Sequence, residues 1–281
     1  MTEDAPTLYQ VKQSKEESLL ELRLPSGETG KQTIHLRICI ASDCALIVYA
    51  DLDELLLANH VIKQLSRAIL QRRPSYLLEY IPSYKSLFLE FDLLEADLYE
   101  ARAFVKSCLS EASFIHAVSD DLKALQGGAI DVACNKAHRI PVCYELLDLP
   151  SDLEKVSQET SLTSKEVIAT HCTSQLQVFA TGFLPGFAYL GEIDESIQIP
   201  RLSQPRARVP SGAVAIADKQ TAIYPIESPG GWHILGYTPI SLISENPEKA
   251  SLLQVGDRIQ FYEISAKEYL KMSSEQASKC E

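Results

Sequence analysis

From residue 176 to residue 264 the apolar residues come in short runs, LQVFATGF, AVAIA, TAIYPI, ISLIS and RIQFYEI, set between prolines and glycines. A helix needs about ten residues of 3.6-residue periodicity to bury a stripe, and no run here supplies them. Several short strands at regular spacing predict a closed or nearly closed β structure. A turn at Gly256-Asp257 leads Ile259, Phe261 and Ile264 into its final strand.

Upstream the period changes repeatedly. Ile34, Leu36, Ile38 and Ile40 alternate with polar positions, as on a half-buried strand, and ALIVYA (45–50) reads as a second strand. From 53 to 72 the spacing of Leu55, Ile62, Leu65 and Ile69 is helical, with Asp51 or Asp53 available as a cap. YLLEYI (76–81) and SLFLEF (86–91), joined by PSYK, predict a hairpin, and a helix follows over 95–110. Strand, strand, helix, strand, strand, helix predicts a small α+β sandwich. Residues 117–138 carry no clean period, and Gly127-Gly128 places a domain boundary there. RIPVCY (139–144) then reads as a strand and 163–171 as a helix, with Thr163 and Glu166 at capping-box spacing. The expected divisions are therefore a polar tail over 1–32, an α+β domain over 33–130, a β-barrel over 138–265 and a charged, fraying tail over 266–281.

Composition narrows the function classes. With 38 acidic against 26 basic residues the net charge is -12, which disfavours a phosphate backbone as partner. No run of 18 apolar residues occurs and the N-terminus lacks a signal-peptide core, so a cytoplasmic protein without membrane attachment is expected. The seven cysteines form no CxxC, which speaks against a zinc or dithiol site and for apolar fillers in a reducing compartment. His171 and Cys172, adjacent in a helix, point apart and make a poor dyad.

Three clusters carry the candidate chemistry. GFLPGFAYLG (182–191) brackets Phe187 and Tyr189 with turn residues, and it reads either as a ligand loop or as a plug at one end of a barrel. PRLSQPRARVPSG (200–212) holds Arg201, Arg206 and Arg208 on a proline-stiffened loop, suited to a carboxylate or phosphate or equally to surface ion pairs. QTAIYPIESPGGW (220–232) contains Gln220, Tyr224, Glu227, Gly230, Gly231 and Trp232; the glycine pair can form an anion nest, and Glu227 can act as a base or cap a turn. His171, at a helix C-terminus, is either a dipole-stabilised histidine or an acid–base group. Neither GxxxxGK[ST] nor GxGxxG is present.

Taken in order, GFLPGFAYLG, PRxxxPRxRVPSG and QTAIYPIESPGGWHILGYTP resemble the KipI family, which includes the B component of 5-oxoprolinase and the corresponding part of biotin-dependent urea carboxyltransferases. The resemblance runs from about Ile38 to Ile264. It implies a ferredoxin-like N-terminal domain followed by a cyclophilin-like β-barrel. It also implies one component of an ATP-dependent 5-oxoprolinase that opens 5-oxoproline to L-glutamate, with ATP and Mg in a complex with the A and C components, and little activity alone. In that reading Arg201, Arg206, Arg208, Gln220, Tyr224, Gly230 and Gly231 bind substrate or anion. His171 and Glu227 supply acid–base function, while Phe187, Tyr189 and Trp232 shape the pocket. Alternatives within the family are a sensor-kinase inhibitor and a urea-related carboxyltransferase component; no biotin-carrier sequence of the AMKM type occurs. Family members often carry Gly where this chain has Ala215, Asp218 and Ala222.

Overall fold

The computed structural model describes residues 7–14, 16–27, 30–126, 136–146, 148–243 and 251–277. It divides into two compact units, Met1–Ala133 and Cys134–Glu281.

The first unit is one antiparallel sheet with three helices. Its strands are β1 (Thr7–Gln13), β2 (Glu17–Gly27), β3 (Gly30–Ser42), β4 (Ala45–Asp51), β5 (Leu77–Ser83) and β6 (Ser86–Phe91), in the order β1-β2-β3-β4-β6-β5. The helices are α1 (Leu55–Arg72), α2 (Leu98–Leu109) and α3 (Ala112–Gln126). Register aligns the apolar alternation across strands: Leu20 and Leu22 lie opposite Leu36 and Ile34, and Ile38 lies opposite Val48, which faces Leu87. All are buried in one core with Leu57, Val61, Leu65, Val105 and Val118 of the helices. A one-residue slip would turn this whole set to the other face.

Three sequence expectations are corrected here. Within the expected tail over 1–32, Thr7–Gln13 and Glu17–Gly27 are strands instead: β1 and β2 extend the sheet, because Leu20 and Leu22 supply apolar positions that the polar surroundings conceal. Residues 112–126 are helical, buried through Phe114, Ile115, Val118 and Leu122. The Gly127-Gly128 boundary lies outside the described residues. Neither Asp51 nor Asp53 caps α1; Glu54 holds the N-cap position and its side chain makes no capping bond.

In the second unit, the strands of the main sheet are β7 (Ala137–Val142), β8 (Leu176–Thr181), β9 (Ala188–Gly191), β11 (Ala213–Ala217), β12 (Gln220–Ile223), β14 (His233–Tyr237) and β15 (Arg258–Glu263). They run in the order β14-β11-β12-β9-β8-β15-β7. Just past β7, Cys143 exchanges backbone hydrogen bonds of 2.8 and 2.9 Å with Tyr237 at the end of β14, which brings the two sheet edges together into a nearly closed barrel. Gly236 permits that closure: a Cβ there would stand 2.6 Å from the Cys143 carbonyl oxygen. The fold is α+β, as expected. A two-stranded ribbon, β10 (Arg206–Val209) with β13 (Ser228–Gly230), lies apart from the main sheet. Helices α4 (Leu153–Thr160) and α5 (Ser164–Thr173) precede β8, and α5 carries the expected Thr163–Glu166 capping box. Residues 240–243 form no strand, only a bridge from Ile243 to Ser251. The charged C-terminal segment is α6 (Ala266–Ala277), its first turn closed by Ser265 and Glu268, and Tyr269 packs against the unit.

Candidate functional site

Strand alternation gives the barrel two different faces. Val214, Ile216, Ile223, Leu190 and Leu235 point inward with Val178, Ile259 and Phe261. Ala213, Ala215, Ala217, Ala222 and Ile234 point outward. Register sets Ala215 beside Ala222, and Ala222 beside Tyr189. The outer face is thus a floor of small side chains, and an aromatic layer lies on it.

Phe187 is the hub of that layer. Its ring centroid lies 4.9 Å from Tyr189, 5.4 Å from Tyr224 and 6.2 Å from Trp232, all in edge-on geometry. Phe187, Tyr224 and Trp232 are buried, while Tyr189 and Gln220 are half-buried. The ribbon meets the same layer: Val209 belongs to this cluster, and Tyr224 presses its hydroxyl against Gly230. Burial beside Tyr189 pushes the Tyr224 phenol up to about 12, against an opposing pull from Arg201 and Arg206, so it is a donor at neutral pH.

The three arginines have separate fates. Arg206 Nη2 donates to Asp152 Oδ1 at 2.5 Å, and Asp152 Oδ2 accepts the Ile234 N–H at 2.8 Å. Its charge is therefore committed to a buried carboxylate. Arg208 pairs at the surface with Glu227 at 2.7 Å, and its side chain is 79% exposed. Arg201 stands over the Trp232 ring, 5.8 Å from its centroid, with a loose 3.4 Å contact to Asp218. It is the member of the trio with most freedom to take an anion beside the aromatic layer. Of the three arginines expected to bind substrate or anion, Arg206 and Arg208 hold close carboxylate partners and Arg201 the most distant one.

The glycine pair forms no nest. Gly230 is a strand residue opposite Arg206, and the Gly231 carbonyl accepts the Leu202 N–H at 2.8 Å; neither has the positive φ that a nest requires. Glycine is needed at 230 because a Cβ would sit 2.3 Å from the Tyr224 oxygen.

His171 is fully buried. It stacks on Phe261 at 4.6 Å inside the barrel. Tyr144 Oη donates to its Nδ1 at 2.8 Å. Thr221 donates to the Ala215 carbonyl at 3.1 Å and so accepts from His171 Nε2 at 3.0 Å. This chain of bonds fixes one neutral tautomer and occupies both ring nitrogens. Burial lowers the imidazole to about 3. Such a ring cannot trade protons with a ligand on the outer face, and the acid–base role expected for His171 is corrected to that of a core brace. Cys172 approaches Tyr144 rather than His171, at 3.4 Å.

Sequence reasoning missed Asp152, whose partner is 54 residues away, and Ser228 and His233, which carry buried polar atoms without a hydrogen bond. Nothing local marks these three. A cleft of about 390 Å³ beside Glu192, Asp194 and Lys219 contains none of the expected site residues. Among the described residues no cluster of side chains is arranged to hold a metal ion, and no helix is long and apolar enough to cross a membrane.

Residues 36–253 match the family described as carboxyltransferase domain, subdomain C and D. A Bacillus subtilis protein named as the B subunit of 5-oxoprolinase is 36% identical over 193 residues, which are 68% of this chain and 78% of that protein. The Escherichia coli protein of the same name is 39% identical over 122 residues, 43% of this chain and 56% of its own length. The crystal structure of TTHA0988 superposes on 79% of this chain and 40% of its own, at 30% identity with a TM-score of 0.65.

Proposed function

The chain belongs to the carboxyltransferase subdomain C and D family, and we propose that within it this protein is the B component of an ATP-dependent 5-oxoprolinase, converting 5-oxoproline to L-glutamate in a complex with the A and C components. The observation that carries this reading is the 36% identity to a protein of that name, spread over 68% of the chain.

The outer-face cluster suits such a substrate. 5-Oxoproline is a flat five-membered lactam bearing one carboxylate. Trp232 and Tyr189 offer aromatic walls for the ring, and Arg201 above Trp232 offers a cation for the carboxylate. Tyr224, held protonated, offers a hydrogen bond, and half-buried Gln220 lies on the same side of β12 as Ala222. Glu227 and Arg208 form a rim pair.

The fit to a nucleotide is poor. A triphosphate requires several uncommitted cations. Here Arg206 is bound to Asp152, Arg208 to Glu227, and the glycine pair is not a nest. The ATP and Mg that the reaction requires act in the assembled complex on this reading.

The test is purification with the products of the adjacent genes and an assay of glutamate formation from 5-oxoproline with ATP. Turnover by the complex and little by the isolated chain is expected. An intact complex without turnover overturns the reading.

A further inference from the structure

Thr221 bonds the inside of the barrel to a strand that carries part of the candidate site. It lies on β12 between Gln220 and Ala222, with Tyr224 just beyond the strand. Side chains alternate along a strand, so Gln220, Ala222 and Tyr224 project outward and Thr221 inward. Ala222 and Tyr224 accordingly belong to the outer cluster, and Ile223 to the inner core. Thr221 is fully buried; its hydroxyl accepts from His171 Nε2 at 3.0 Å and donates to the Ala215 carbonyl at 3.1 Å. His171 is held in turn by Tyr144 Oη at 2.8 Å and by Phe261, stacked 4.6 Å away.

Ala215 is itself part of the floor of the site and lies opposite Ala222. On its other side β11 pairs with β14 through a register shift. Val214 lies opposite Gly236 and Ala215 opposite Ile234, which leaves Leu235 unmatched. Bulges turn side chains and are over-represented beside active sites. The chain of bonds from Tyr144 through His171 and Thr221 therefore ends on the carbonyl at this bulge.

Stability alone does not account for that chain. A hydrogen bond contributes about 1 kcal/mol net, and apolar groups of the same shape would fill the space at little cost. Apolar packing does not supply a fixed distance and direction. A fully satisfied polar chain does, and it rigidifies the segments that it joins.

We propose that His171 and Thr221 are positioning residues: their hydrogen bond, fixed from Tyr144, sets β12 against β11 and so places Gln220, Ala222 and Tyr224 under the ligand of the outer face. This deepens the 5-oxoprolinase reading and rests on it for the identity of that ligand. Neither residue touches the ligand.

Thr221→Val removes the hydroxyl and keeps the shape, while Thr221→Ser keeps the hydroxyl. In the complex Thr221→Val should raise KM for 5-oxoproline about tenfold with a smaller change in kcat, and Thr221→Ser should restore it. A readout that needs no turnover is the fluorescence of Trp232 in the full chain, where it is the only tryptophan and is 5% exposed. With the far-ultraviolet spectrum unchanged, Thr221→Val should shift its emission to the red and increase its quenching by acrylamide, and Thr221→Ser should not. Should Thr221→Val fail to fold, Tyr144→Phe releases the other ring nitrogen and is read in the same way. That pattern in Trp232 upholds the positioning even if the complex fails to turn over 5-oxoproline; in that event only the functional reading falls. Wild-type emission and quenching in the folded variant overturn the proposal. So does a Trp232 change that leaves KM of an active complex at the wild-type value, or one that Thr221→Ser shares in full.

Discussion

Arg206 and Asp152 form an ion pair of 2.5 Å in which the carboxylate also receives the Ile234 N–H, so one arginine fastens the ribbon to both β14 and the segment before α4. The Asp152 side chain is almost fully enclosed, while that of Arg206 is 27% exposed. Removing the cation strands a buried carboxylate. Arg206→Ala is expected to cost about 2–3 kcal/mol, read as a lower denaturant midpoint. Arg208→Ala, which breaks only an exposed pair with Glu227, should cost less than about 1 kcal/mol. Equal effects of the two would contradict this division of roles.

Arg201 should behave in the opposite way. Its side chain is 60% exposed and its contacts are an exposed ion pair and a position over the Trp232 ring, so Arg201→Ala should cost less than about 1 kcal/mol. In the active complex it should raise KM for 5-oxoproline by about 10- to 100-fold, the range for a charge-assisted hydrogen bond. An unchanged KM removes Arg201 from the site.

Stability should fall in acid through His171. Its folded value, about 3, lies below the ordinary histidine value of 6.5. Above pH 6.5 the ring is neutral in both states and contributes no pH dependence. As pH falls from 6.5 towards 3 the unfolded chain gains a proton that the folded chain refuses, and stability declines by up to about 1.4 kcal/mol per pH unit. His171→Gln should remove this part of the slope. Urea unfolding at pH 7.5 and pH 5 for both proteins measures it; parallel slopes would contradict the assignment.

The two glycines of the SPGGW turn should differ. An alanine Cβ at 230 would stand 2.3 Å from the Tyr224 oxygen and 2.8 Å from its ring, which is wedged against Phe187. Gly230→Ala should destabilise by about 1–3 kcal/mol, as overpacking does, and displace the phenol. A Cβ at 231 meets nothing closer than 3.6 Å, so Gly231→Ala should be tolerated. Differential scanning calorimetry of the pair settles the order.

Deletion of residues 1–32 should unfold the first unit. It strips β2 from β3 and uncovers Ile34 and Leu36, which Leu22 and Leu20 now face. Loss of soluble protein, or of cooperative unfolding in that unit, is expected; a native-like far-ultraviolet spectrum with an unchanged midpoint would restore the tail reading.

Much of the architecture was legible in local pattern. The alternation at 34–40, the helical spacing at 53–72, the hairpin around PSYK and the Thr163–Glu166 cap all fall where expected, because each depends on residues within a turn or two of one another. Strands β1 and β2 were not legible: their apolar positions are sparse, and only pairing with β3 makes Leu20 and Leu22 interior. For the site, residue order alone establishes which side-chain types crowd into 182–232 and which family their succession resembles. What each of them does follows from the folded arrangement. His171 and Thr221 are 50 residues apart and Arg206 and Asp152 are 54 apart, yet those partners make one residue a neutral core brace and the other an anchor. Whether a charge is free to bind depends on what faces it and how much water reaches it. Both are properties of the folded neighbourhood, and neither is written in the spacing of residues along the chain.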